Sequence, residues 1–298
     1  MNFADRLAAA VEARGAALCV GLDPRIEMLP PALIAGLRPG SAGRARAYER
    51  FCCMVIDAVA GEAAVVKPQV AFFEALGGPG YSALERICAH ARDAGLVVLA
   101  DAKRGDIGST AEAYAAAWLL PRDGASAVAD AMTVNPYLGG DSVAPFLAAC
   151  GDGAGVFLLA HTSNPGGADL QERELADGRP LWERTAELID GWGAEHIGAC
   201  GLSAVGAVVG ATRPEDLARA RDLMPHAPFL LPGVGAQGGR AEELAAAFRD
   251  HPAGGIVSAS RSVIYAWRER GGDWQQAVRA AAAELRSAVA ALRPAAGV

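Results

Sequence analysis

Val97-Val98-Leu99-Ala100-Asp101-Ala102-Lys103-Arg104-Gly105-Asp106-Ile107-Gly108-Ser109-Thr110 begins as an uncharged aliphatic run and ends in a cluster of charge. A short apolar run of this composition reads as a buried β-strand. Side chains alternate along a strand, so Asp101 and Lys103 are expected to point the same way from its last pleat. Gly105 breaks the strand and leaves Asp106 on the turn that follows. Unpaired buried charge is costly, so these groups must neutralise one another or serve chemistry. A plainer alternative is a salt bridge tying strand to helix, with Asp106 as the N-cap ahead of residues 107–110. The rest of the chain favours chemistry, because several other strands end in the same way.

Working outward, further strands are predicted over residues 17–23, 64–69, 131–136, 155–163, 202–209, 229–235 and 255–261. Helices are predicted over 3–14, 47–60, 81–94, 110–120, 143–149, 181–195, 214–223 and 240–250, with a last long helix from Trp267 to residue 293. The first helix carries Phe3, Leu7 and Val11 on one face and is expected to close the bottom of the fold. Residues 24–45, rich in Pro and Gly, read as an insertion or long loop, residues 164–180 as a mobile lid, and residues 294–298 as a frayed tail. Eight strand–helix alternations in this length predict an α/β fold, a (β/α)8 TIM barrel forming a single domain over residues 1–298. The strands lack clean polar alternation, as expected when both faces are buried. A doubly wound open sheet is the alternative, but no G-x-G-x-x-G follows the first strand.

The 298 residues, 52% hydrophobic, are enough for a large core, and the net charge of −7 argues against a nucleic-acid-binding surface. The six cysteines form no C-x-x-C pair, which suits reduced thiols of a cytoplasmic protein. No signal peptide or membrane-spanning run is evident. No metal site is expected: the five histidines show no ligand spacing, and His161 reads as a hydrogen-bonded strand-end residue. Lys67 and Lys103 supply the positive charge that a metal would otherwise bring.

In a parallel barrel the active site lies at the C-terminal ends of the strands. Asp23, Lys67, Asp101, Lys103, Asn135, Ser163, Gln237 and Arg261 all fall at or just past such ends. Residues 232–239 form a glycine-rich loop whose amides, including that of Gly235, suit close approach to an anion, with Gln237 as a further donor. Arg261 offers a planar fork for phosphate. Read singly, these are a tight turn and a surface ion pair; in adjacent loops they suggest a phosphate grip.

The run Asp101-Ala102-Lys103-Arg104-Gly105-Asp106-Ile107 with Thr110 resembles the signature of the orotidine 5′-phosphate decarboxylase family. Gly21-Leu22-Asp23, Lys67, residues 232–239 and Arg261 recur in that family's order across nearly the whole chain. The length, Lys67-Pro68-Gln69 with Phe72-Phe73-Glu74, and Thr133-Val134-Asn135-Pro136-Tyr137 resemble its longer bacterial (type 2) branch. Ser260 departs from the pattern, standing where many relatives have Gly. The resemblance implies decarboxylation of orotidine 5′-monophosphate to UMP and CO2 without metal or organic cofactor. It gives Lys103 the role of proton donor to C6, with Asp101 facing the substrate carboxylate and Lys67 orienting Asp101 and the ribose. Asp23 is implied to bind a ribose hydroxyl, Ser163 the pyrimidine, and Gln237, Gly235 and Arg261 the phosphate. Asp106, with Thr110, is implied at a site shared across a homodimer.

Three rivals are weighed against this reading. A Mg²⁺-dependent sugar-phosphate decarboxylase or aldolase-like lyase of the same superfamily would carry an acid where this chain has Lys67. A Schiff-base aldolase using Lys67 or Lys103 is disfavoured by the carboxylates beside the lysines. A barrel that only binds phosphorylated metabolites has no need of the full Asp101–Lys103–Asp106 set.

Overall fold

The computed structural model describes residues 1–122, 124–210, 214–233 and 241–292. Its strands are β1 (Leu18–Leu22), β2 (Val65–Pro68), β3 (Val97–Arg104), β4 (Ala131–Val134), β5 (Gly155–His161), β6 (Val205–Val209), β7 (Phe229–Pro232) and β8 (Gly255–Ala259). Each pairs in parallel with its successor, and β8 returns to β1, so the sheet closes into the expected barrel. Closure leaves no sheet edge, which lets strands of four or five residues survive. Every residue of β1, β2, β4, β6 and β8 is buried.

The helix Phe3–Arg14 lies across the bottom. Phe3 is fully buried and packs edge-on against Phe157, with ring centroids 6.1 Å apart. Gly155 makes room for that ring, since a Cβ there would lie 2.3 Å from it. The outer helices come close to their expected spans, with three differences. The chain after Trp267 is broken into Trp267–Arg270 and Trp274–Ala290 because Gly271 and Gly272 adopt φ of +68° and +75°. Asp273 then caps the second piece through the Gln276 amide at 2.8 Å. Residues 241–248 form a 3-10 rather than an α-helix. Within 24–45 the chain forms a 3-10 turn, Ile26–Met28, and a short helix, Pro31–Ile34; the next helix starts at Ser41, earlier than expected. The tail at 294–298 lies outside the described residues.

Residues 164–180 are anchored to the end of β5. Gln171 Oε1 accepts from the Thr162 amide and Gln171 Nε2 donates to Thr162 Oγ1, both at 2.8 Å. His161 Nε2 pairs with Glu172 Oε1 at 2.7 Å, and its ring stacks on Trp182 at 4.8 Å. The hydrogen bond expected of His161 is therefore present, and it ties down the segment read as a lid.

Arg221, on the helix Pro214–Leu223, is 1% exposed. Its guanidinium lies 3.8 Å from the Phe229 ring centroid and donates to the carbonyls of Met224, Pro225, Ala227, Ala247 and Gly254. Burial pulls its pKa down to about 10, so it stays charged at neutral pH. One side chain thus joins the turns that lead into β7 and β8. Arg221→Met is expected to lower unfolding free energy by at least ~3 kcal/mol, because it strands several buried carbonyls at once. Urea denaturation reads this directly; a midpoint unchanged within error would show that the strap contributes nothing.

Candidate active site

At the C-terminal mouth of the barrel, Asp101 is 6% exposed and Lys67 is 7% exposed. Asp101 Oδ2 accepts from Lys67 Nζ at 2.8 Å and Gln69 Nε2 at 3.0 Å. Its Oδ1 accepts from Lys103 Nζ at 2.5 Å and Thr133 Oγ1 at 3.0 Å. Burial alone would raise the Asp101 carboxyl, but Lys67 and then Lys103 outweigh it and hold the pKa well below the usual carboxylate range. For Lys67, burial pulls the pKa down, yet the Asp101 and Asp23 charges outweigh it and leave the pKa raised. Asp101 therefore adds stability above its unfolded pKa of about 3.9, lost as pH falls through the depressed value. Lys67 adds stability below its unfolded pKa of about 10.4, lost as pH rises through the raised one. Across the neutral range both stay charged, which makes Lys67 a poor Schiff-base nucleophile.

Lys103 reaches Asp101 by a route that alternation does not describe. The β3–β4 register shifts between Ala100 and Arg104, and Lys103 has φ +46°. A bulge at the strand end carries the residue, and its amide donates to Thr133 Oγ1 at 2.9 Å instead of to the ladder. The side chain is 48% exposed, in contrast to the buried Lys67. Asp101 thus pairs within its own strand and with the neighbouring β2, while the strand-to-helix salt bridge of this stretch is made by Arg104 with Glu74 on the helix Val70–Glu74.

These residues border a cavity of about 310 Å³ whose lining also includes Asp23, Ser163, Gly233, Ser260 and Arg261. Arg261 opens the short helix Arg261–Ile264, two residues past the end of β8. Ser163 sits against Gly210, where a Cβ would lie 2.9 Å from the Ser163 amide nitrogen. Tyr265 fixes the turn after β1: its hydroxyl donates to the Asp23 carbonyl at 2.9 Å and accepts from the Arg25 amide at 2.8 Å. The described lining carries three cations, Lys67, Lys103 and Arg261, against two carboxylates, Asp23 and Asp101, a balance that suits a small anionic substrate.

The family model for orotidine 5′-phosphate decarboxylase / HUMPS matches residues 16–270. The chain belongs to the orotidine 5′-phosphate decarboxylase / HUMPS family. It is similar to the orotidine 5′-phosphate decarboxylase of Rhodopirellula baltica, at 46% identity over 96% of this chain and 98% of the relative. That of Variovorax paradoxus is 45% identical over 99% of this chain and all of the relative. Among solved structures, Leishmania donovani OMP decarboxylase superposes with a TM-score of 0.78 at 35% identity, covering 99% of this chain and 100% of that one. The Methanocaldococcus jannaschii orotidine 5′-monophosphate decarboxylase, at 19% identity and a TM-score of 0.62, shares the fold.

For a member of this family, the cavity gathers Asp23, Lys67, Asp101, Lys103, Ser163 and Arg261 in a single chain. It does not gather Asp106 and Thr110. Gly105, pressed against the Asn135 carbonyl, leads the chain outward, leaving Asp106 half-exposed and Thr110 exposed on the rim. Asp106 accepts from the Ile107 amide at 2.8 Å, one residue before the N-cap of helix Gly108–Leu119, so the N-cap alternative also fails. Gly235 and Gln237 lie outside the described residues. Gln69, Thr133 and Tyr265 hold the site without being assigned to it from sequence: Gln69 and Thr133 enter only within the motifs resembling the longer branch, and Tyr265, just past the helix Arg261–Ile264, carries no strand-end signal. His161, Glu172 and Asp216 bring ligand atoms within 4.8 Å of one another, which spacing along the chain does not reveal. The imidazole pairs with Glu172 through Nε2 and faces Asp216 from Nδ1 at 3.8 Å, and the trio lies outside the cavity lining. Its evident role is to fasten the 164–180 segment.

Proposed function

We propose that the chain decarboxylates orotidine 5′-monophosphate to UMP and CO2, with Lys103 protonating C6. The chain is an enzyme, a carboxy-lyase of its family. The observation that carries the finer reading is the Lys67–Asp101–Lys103 array at the mouth of the barrel. The bond from C6 to the carboxylate breaks and its electron pair stays on C6. The Lys103 ammonium opposes that developing charge, then gives its proton to C6 and is recharged from solvent. Asp101 fixes the ammonium from a position that Lys67, Gln69 and Thr133 pre-set, so little reorganisation is needed at the moment of reaction.

In this reading Asp23 binds a ribose hydroxyl and Ser163 the pyrimidine. Gly235, Gln237 and Arg261 hold the phosphate, a remote source of binding energy for the chemical step. Asp106, with Thr110, enters the site of a second copy in a homodimer. Exposed Ile107, next to Asp106, and Tyr137 and Leu138, just past the Asn135 that Gly105 packs against, are 56%, 71% and 51% exposed and supply apolar surface for such an interface. The near-complete coverage of relatives of this length supports the longer (type 2) branch. A single domain over 1–298 and a cytoplasmic location, where six free thiols stay reduced, belong to the same proposal. Among the described residues no helix is long and apolar enough to cross a membrane.

Ultraviolet absorbance of orotidine 5′-monophosphate mixed with purified protein and EDTA tests the reaction. Loss of the orotate chromophore with formation of UMP is expected. An unchanged spectrum from folded protein that binds UMP would refute the reading in favour of a metal-dependent relative or a binding-only barrel.

A further inference from the structure

Two buried polar atoms in the cavity have no hydrogen-bond partner among the described residues: Asp23 Oδ1 and Ser260 Oγ. A buried polar atom left unpaired is costly, so such atoms at a binding site mark where ligand atoms complete the set. The two belong to strand ends that are neighbours in the barrel, β1 and β8, and both crowd the same glycine. A Cβ on Gly21 would lie 2.8 Å from Ser260 Cβ, 3.3 Å from Ser260 Oγ and 3.4 Å from Asp23 Oδ1. Gly21 is thus the gap that lets the hydroxyl and the carboxylate come together.

Their chemistry is complementary. The carboxylate can only accept, whereas the serine hydroxyl can donate as well. Arg261 is next in the chain, which at first sight suggests that Ser260 serves a phosphate. The Asp23 charge opposes this, because a second anion placed beside it is repelled in a poorly solvated cavity. A ligand hydroxyl meets no such penalty: it donates to Asp23 and accepts from Ser260.

We propose that Ser260 Oγ is a substrate-binding group that shares one sugar hydroxyl of the nucleotide with Asp23. The proposal rests on the nucleotide reading above and adds a side-chain contact where a glycine would provide none. It makes residue 260 a determinant of discrimination between ribose and deoxyribose ligands.

Titration calorimetry of UMP, 2′-deoxy-UMP and 3′-deoxy-UMP against wild-type protein and Ser260→Ala tests it. The substitution keeps the packed Cβ and removes only the hydroxyl. UMP affinity is expected to fall roughly three- to tenfold in the variant. One deoxy analogue, the one lacking the shared hydroxyl, should bind both proteins equally. Equal weakening of UMP and both analogues would assign Ser260 to the phosphate and overturn the proposal, as would unchanged UMP affinity. Wild-type protein that binds no UMP would refute the nucleotide reading itself, and this proposal with it.

Discussion

Lys103→Ala is expected to lower kcat by at least the ~10²–10⁴-fold typical of a lost acid–base group, while the protein stays folded and still binds UMP. The structure separates these two effects. The Lys103 side chain is 48% exposed, so truncating it opens no buried cavity. Asp101 keeps Lys67, Gln69 and Thr133 as partners and is not left as an unpaired buried charge. The left-handed backbone at φ +46° is as strained for Ala as for Lys, so the substitution leaves that cost unchanged. Steady-state kinetics together with a urea midpoint check the prediction. Lys103→Arg sharpens it, because a guanidinium keeps the positive charge but does not release a proton near neutral pH. If charge alone sufficed, the arginine variant would recover much of the lost rate; as proton donor, Lys103 predicts that it stays inactive. Near-normal turnover in the alanine variant would end the assigned role.

How far the site was legible depends on which physical constraint each residue obeys. Closed parallel strands must be apolar on both faces, so a charge can sit only at an end. That rule makes Asp23, Lys67 and Asp101 visible in the sequence. The eight alternations and the glycine breaks follow from equally local chemistry. The bulge that aims Lys103 is not local, since it arises from the register of β3 against β4 and from a hydrogen bond to Thr133. Arg221 was illegible for a different reason. An arginine on a helix is normally a solvated charge, and only the convergence of the two segments leading into β7 and β8 gives it five carbonyls. His161 shows the same limit, because its carboxylate partners lie eleven and fifty-five residues away along the chain. Residues whose role depends on tertiary convergence leave no spacing to read.

Asp106 obeys yet another constraint, and it leads to the second large effect. Asp106→Ala and Lys103→Ala homodimers are each expected to be inactive, yet mixing them should restore activity to about a quarter of wild type. Gly105 turns the chain away from its own cavity, and Asp106 ends outside the cavity lining, next to exposed Ile107. A carboxylate there is placed to complete the site of a second copy if the proposed homodimer forms. In the proposed two-fold dimer each protomer's Asp106 would stand opposite the partner's Lys103. In a mixed dimer one site then carries both lesions and the other carries neither. Random exchange puts about half of the protomers in mixed dimers, with one working site in each. Activity measured before and after subunit exchange, with exchange followed by a size or charge tag, gives the answer. Recovery well above both parents requires a shared site, because two inactive chains that each hold their own catalytic set cannot repair one another. Confirmed exchange with no recovery would confine Asp106 to the surface of its own subunit.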